Sequence, residues 1–197
     1  MLLRCLLVWC RLLVCCIAAS AAMAGRGHEA ETFYLPDAAT LQHMRAAIES
    51  ADSFSDRYEA EVWLMSKSSA LERFIPDVQQ RLELLRLIHQ EATRAELSPE
   101  VVLAVIEVES HFNPYAVSRA GAQGLMQVMP FWKELIGSSD DNLTHIPTNL
   151  RYGCTILKHY LDMEHGELTP ALARYNGSYG QGWYPERVRV AWEKRWR

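Results

Sequence analysis

Ser98-Pro-Glu-Val-Val-Leu-Ala-Val-Ile-Glu-Val-Glu-Ser110 is the stretch of this 197-residue chain that decides its fold class. Ser98 suits an N-cap, Pro99 the first helical position and Glu100 the positive end of a helix dipole. From Val101 to Ile106 no side of the helix is polar, so the segment is predicted to lie inside a core rather than on a surface. Asn113-Pro114 is expected to stop it. Glu109 falls at its end. Apolar surroundings and the negative end of the dipole both favour the protonated form of a carboxyl group there. An acid that holds its proton near neutral pH is what donation to a leaving-group oxygen requires.

The same periodicity extends in both directions. Leu41, Met44 and Ile48, then Phe54, Tyr58, Val62 and Met65, recur at helical spacing. Pro76 breaks the pattern, and Leu82, Leu85, Leu87 and Ile88 face one side of a helix ending near Ala95. Residues 115–128 are the one interior stretch without helical character. Gly121 and Gly124 there permit positive φ, and Leu125 to Val128 is expected to be a short extended piece. Pro130 opens a further helix, and a long one is predicted over Thr148 to Glu164, with Leu150, Cys154, Leu157 and Leu161 on one face. Thr169-Pro170 should cap the next, which Asn176-Gly177 ends. Val188, Trp192 and Trp196 form the stripe of a last helix. The expected architecture is one mainly α domain with an N-terminal helical extension and little or no sheet.

Composition adds a compartment. The first 24 residues are rich in Leu, Val, Cys and Ala, carry only Arg4 and Arg11, and end in Ala21-Ala-Met-Ala24. This reads as a secretory signal cleaved after Ala24; Arg11 interrupts the apolar run that a retained membrane anchor would need. Four of the five cysteines lie in that segment, which leaves Cys154 without a partner for an internal disulfide. Loss of Arg4 and Arg11 takes the net charge from −4 to −6, a poor match to nucleic acid. The stretch from Arg187 to Arg197 holds five basic residues, and reads as the solvated face of a helix or as a contact for an anionic envelope surface.

Glu109-Ser110, Asn113-Pro114, Ser118, Gly121-Ala122, Gly124-Leu-Met-Gln127, Pro130, Asn149, Gly153, Leu157 and Tyr175-Asn176 occur in order. In that order and spacing the chain resembles the soluble lytic transglycosylase catalytic domain over about residues 80–182. That domain is similar in fold to goose-type lysozyme. The resemblance divides the chain into a signal peptide (1–24), a helical extension (25–79), the catalytic domain (80–182) and a C-terminal helix packed on the core (183–197).

The resemblance implies cleavage of the β-1,4 bond between N-acetylmuramic acid and N-acetylglucosamine, leaving a 1,6-anhydromuramic end. It implies Glu109 as the single acid and base. Gln127, by hydrogen bonding, and Met126 match positions that line the sugar cleft in the family. Tyr175 matches a tyrosine whose hydroxyl lies near the acid, and Asn176 is its motif neighbour. Ser110 joins these as a substrate-side residue, although on its own it reads as a helix-end hydrogen-bonding group. It lacks the Gly-x-Ser-x-Gly elbow of a nucleophile. Tyr179, Trp183 and Tyr184 are placed to stack on sugars, while Trp192 and Trp196 read as core. Glu107 lies about 200° around the helix from Glu109 and reads as structural, paired with a basic residue.

Ordinary glycosidases set two carboxyls about the scissile bond. The next acids after Glu109 are Glu134 and Asp140-Asp141, in polar contexts beyond the Gly loop. A lone acid fits a substrate that supplies its own nucleophile. Arg174 and Gly177-Ser178 depart from the family pattern, which more often has Ala before the Tyr-Asn pair and Ala-Gly after it; this leaves the neighbouring sugar subsites open. No metal spacing occurs among the seven histidines, and no cofactor is expected. The implied partner is the peptidoglycan glycan strand, met by a monomer in the periplasm or envelope. A secretion machine is a further partner to weigh. A muramidase hydrolysing the same bond, and a catalytically silent wall-binding scaffold, are the competing readings.

Overall fold

The computed structural model describes residues 57–197 together with Ala38. The expected signal segment, the Leu41–Met44–Ile48 face and Phe54 lie outside the described residues. Within them are seven α-helices: α1 (Arg57–Leu71), α2 (Val78–Arg94), α3 (Pro99–Ser110), α4 (Phe131–Ile136), α5 (Ile146–Met163), α6 (Leu168–Asn176) and α7 (Trp183–Ala191). A π-helical turn, Trp192–Trp196, continues α7. Among the described residues there is no sheet. Two isolated bridges, Val117 to Gln123 and Gln123 to Val128, tie the Gly-rich segment to itself.

Helix α3 is the axis. Every residue from Val101 to Glu107 is buried, because α2 covers it on one side, and α7 and the π turn on another. Ser98 caps it by accepting from Val101 N, with Pro99 in the first turn as the sequence suggests. It ends earlier than Asn113-Pro114 would require. His111 (φ 51°) and Phe112 (φ 63°) are both left-handed, an unfavourable pair for residues with a Cβ. Phe112 recovers the cost by burial, with its ring 4.9 Å from Phe74 and 5.5 Å from Trp196.

Helices α2 and α5 pack together, as do α5 with α6 and α6 with α7. Between α2 and α5, Glu91 is buried and receives Arg151 through two bonds of 2.6 and 2.7 Å, and Arg94 at 2.7 Å. Cys154 is a free thiol inside α5, and burial pushes its pKa far up. It is therefore inert as a nucleophile.

Three local expectations change. Leu125 to Gln127 form a turn rather than an extended piece, since Gln127 takes φ 49° after Gly124 at 77°. Helix α6 begins at Leu168 with Glu167 as N-cap, before Thr169-Pro170. The last stripe does not run on one helix: Val188 belongs to α7, whereas Trp192 and Trp196 bound the π turn. Trp196 is fully buried and Trp192 half-buried against the core.

Candidate active site

Glu109 stands in the last turn of α3, where the buried helix emerges, and is half-buried. Burial raises its pKa to about 7, against smaller downward pulls from the Tyr184 hydroxyl and the Arg187 guanidinium. Tyr184 Oη donates to Glu109 Oε1 at 2.6 Å. Arg187 is the charged group whose field acts on Glu109 among the described residues, and it is a cation.

Two tyrosines therefore approach the acid, and their roles differ from the sequence reading. Tyr175 lies close enough for the Glu109 charge to push its own pKa up, but its hydroxyl donates to Met126 O at 2.7 Å. The hydroxyl on the carboxyl group belongs to Tyr184. That residue is fully buried at the start of α7, so it cannot be a sugar-stacking surface. It also lies beyond residue 182, in the helix expected to pack on the core, and reaches the acid by its hydroxyl rather than stacking on a sugar. A signal for it exists in the sequence: one turn back along the stripe from Val188 falls on Tyr184, and both are 1% exposed.

The Gly-rich turn is held by α5. Asn149 is buried; its Oδ1 accepts from Met126 N at 2.8 Å, and its Nδ2 donates to Gln123 O and Leu143 O, each at 2.8 Å. A Cβ on Gly124 would run into Asn149 and Leu143 O, and one on Gly153 into Met126, so both positions need glycine for close approach. Ser110 Oγ ties α3 to the same turn by donating to Leu125 O at 2.8 Å. These contacts set Met126 O beneath Tyr175.

The remaining residues named from sequence divide accordingly. Ser110 is buried and its hydroxyl is taken by backbone carbonyls, Ile106 O included. Met126 is fully buried, against Cys154 Sγ at 3.9 Å, so its side chain belongs to the core and its carbonyl to the site. Gln127 is half-buried; its Nε2 donates to Ala116 O and Gly124 O, and its Oε1 has no donor among the described residues. Asn176 is half-buried at the last position of α6, before Gly177 at φ 79°. Glu107 faces away from Glu109: Arg195 Nε at 2.7 Å, Arg195 Nη2 and Trp196 Nε1 at 2.8 Å all donate to it. His111 is exposed beside Phe74. Among the described residues no three His, Cys, Asp or Glu side chains could hold a metal ion.

A buried helix that delivers one protonated carboxyl group to a tyrosine-lined edge can donate a proton and, once ionised, accept one. Comparison with known proteins places this arrangement. The family model described as "Transglycosylase SLT domain" matches residues 86–189. The chain is 52% identical over 48 residues to a "Membrane-bound lytic murein transglycosylase C" of Actinobacillus pleuropneumoniae serotype 5b, covering 24% of this chain and 13% of the relative. It is 36% identical over 86 residues to a "Transglycosylase" of Enterobacteria phage PRD1, covering 43% and 31%. It is 34% identical over 115 residues to a "Membrane-bound lytic murein transglycosylase F" of Desulfosudis oleivorans, covering 56% and 25%. The matched stretch thus spans less than a third of each of these relatives.

Proposed function

Because this chain belongs to the transglycosylase SLT domain family, we propose that it is a peptidoglycan lytic transglycosylase. It cleaves the β-1,4 bond from N-acetylmuramic acid to N-acetylglucosamine and leaves a 1,6-anhydromuramic end. The observation that carries this reading is Glu109: a single carboxyl group, protonated near neutrality, with a tyrosine hydroxyl and an arginine as its neighbours. Burial, Tyr184 and Arg187 set its pKa, and a lone acid fits a substrate that supplies its own nucleophile.

In the mechanism, Glu109 gives its proton to the glycosidic oxygen as the bond to C1 breaks. The N-acetyl group of the muramic sugar stabilises the positive centre. Glu109, now a carboxylate held by Tyr184, takes the proton of the sugar's own C6 hydroxyl as that oxygen closes on C1. The proton count returns to its start, and no water is consumed. Ring closure within one sugar has a high effective molarity, on the order of 10⁵ M or more for well-oriented groups. Gln127 Oε1 is available to accept from a sugar hydroxyl or amide. Ser110, Met126 and Asn176 act by shaping the turn and the end of α6.

In this reading residues 1–24 export the chain, which works on glycan strands in the envelope as a monomer. The decisive experiment digests purified sacculi and weighs the products by mass spectrometry. The parent chain should release anhydro ends, and Glu109→Gln should release none while unfolding at nearly the same urea concentration. Reducing ends would show a muramidase instead, and full activity in Glu109→Gln would reject the assignment.

A further inference from the structure

We infer that Tyr179, on the loop from α6 to α7, and Trp183, the first residue of α7, form an aromatic subsite that stacks on an N-acetylated amino sugar of the same glycan strand, beyond the bond that is cut. The inference rests on the function proposed above. It differs from the sequence expectation by excluding Tyr184 and by giving each remaining ring a fixed setting.

Tyr179 and Trp183 are 56% and 49% exposed; Tyr115, on the loop after α3, is exposed as well, but it is Trp183 that is joined to the acid through Tyr184. Their stretch of chain is bracketed by the site. Tyr175 stands before it, and Tyr184, on the acid, directly follows Trp183. The Trp183 ring meets the Tyr184 ring edge-on, with centroids 5.9 Å apart and planes at 85°, which puts it one ring away from Glu109.

Neither ring is left to swing. Trp183 Nε1 donates to Gln181 Oε1 at 2.9 Å. The Arg174 guanidinium lies 3.8 Å over Tyr179 and is itself paired with Glu164. One face of Tyr179 is thereby covered, yet the residue stays more than half exposed. Exposed rings fixed in advance lose little entropy on binding. Arg174 is one of the two departures from the family pattern, so this support is a feature of this chain.

Two further details of the loop point the same way. Gly182 has an ordinary φ of −89°, and a Cβ there would meet nothing within 4 Å, so neither backbone nor packing demands glycine. Its effect is to leave the space beside Trp183 open. Ser178, the other departure, buries a hydroxyl with no hydrogen-bond partner among the described residues. Leaving such a group unpaired is unfavourable, and a segment optimised only for folding would avoid it. Pyranose rings present flat, apolar C–H faces of the size of an aromatic ring, and lie end to end along a strand. A rigid aromatic edge continuous with the acid suits that ligand.

The test uses the full chain with Glu109→Gln to block cleavage and a β-1,4-linked N-acetylglucosamine hexamer as probe, with Kd read by calorimetry. Trp183→Ala and Tyr179→Ala should each weaken binding about tenfold, the usual scale for truncating an anchoring aromatic. Trp183→Phe should recover most of it. With Glu109 restored and sacculi as substrate, the loss should fall on KM more than on kcat. Equal binding by all variants would overturn the subsite alone. So would a collapse of kcat in both Trp183→Ala and Trp183→Phe, because it would show that Trp183 serves only to place Tyr184. Failure of the parent chain to cut sacculi would overturn both readings, whereas a chain that cuts sacculi but does not bind the hexamer would overturn the subsite alone.

Discussion

At Glu109 opposing influences meet on one carboxyl group. Burial keeps the proton on, while Tyr184 and Arg187 favour its release. A residue that must act first as acid and then as base needs both. The protonated form declines as pH rises through about 7, so the proposed activity should fall on that side. Tyr184→Phe removes a hydrogen bond that favours the carboxylate. The pKa of Glu109 should therefore move up, carrying the alkaline limb of the kcat profile to higher pH. The base step loses its support, so kcat should drop about tenfold or more. A pH–rate series on parent and variant checks both; a limb that stays or moves down would contradict the assigned role. The setting of Glu109 is legible in the sequence, because an apolar helix that ends in a carboxyl group must carry it to the edge of the core. Its partner is not. A tyrosine hydroxyl 75 residues away reaches Glu109 only through the packing of α7 on α3, and local periodicity reports which face is buried but not what meets it.

Helix α5 shows how an element without a catalytic group governs the site. Through Asn149 it holds three backbone groups on two segments: Met126 N and Gln123 O of the Gly-rich turn, and Leu143 O. Asn149→Ala would leave these groups buried and unpaired, at about 2–4 kcal/mol in total. Urea unfolding should show that loss. Activity at low denaturant should fall as well, because Met126 O also receives Tyr175. A stable but inactive Asn149→Ala chain would instead mean that this side chain meets substrate. Helix starts at Ser98 and near Pro147, and the end at Gly177, follow rules of capping and proline that sequence displays directly. The misread end of α3 and the turn after Gly124 share a cause. His111, Phe112 and Gln127 adopt left-handed φ without being glycine, and only tertiary contacts, such as Phe112 against Phe74 and Trp196, make that affordable.

Across the whole molecule, α3 is gripped from one side by residues far along the chain. Arg195 and Trp196 both bind Glu107, and Lys67 Nζ in α1 donates to Trp196 O at 2.7 Å. Of the basic stretch that composition offers as a solvated face or an envelope contact, Arg187, Arg189, Lys194 and Arg197 are exposed, with Arg189 pairing on that surface with Glu186 and Glu193, while Arg195 turns inward to Glu107. Arg195→Ala strands the mostly buried Glu107 carboxylate and should cost about 3 kcal/mol in thermal or chemical unfolding. Glu107→Gln should keep catalysis far better than Glu109→Gln while still lowering stability, a contrast that separates the two acids of one helix. The long reach of this grip also has a consequence in time. While the ribosome is still adding residues after Tyr175, a nascent chain already carries Glu109, but as an ordinary wetted carboxylate without Tyr184 or the packing that protonates it. The surroundings that lift the Glu109 pKa thus come together only once α7 has been made and has packed on α3.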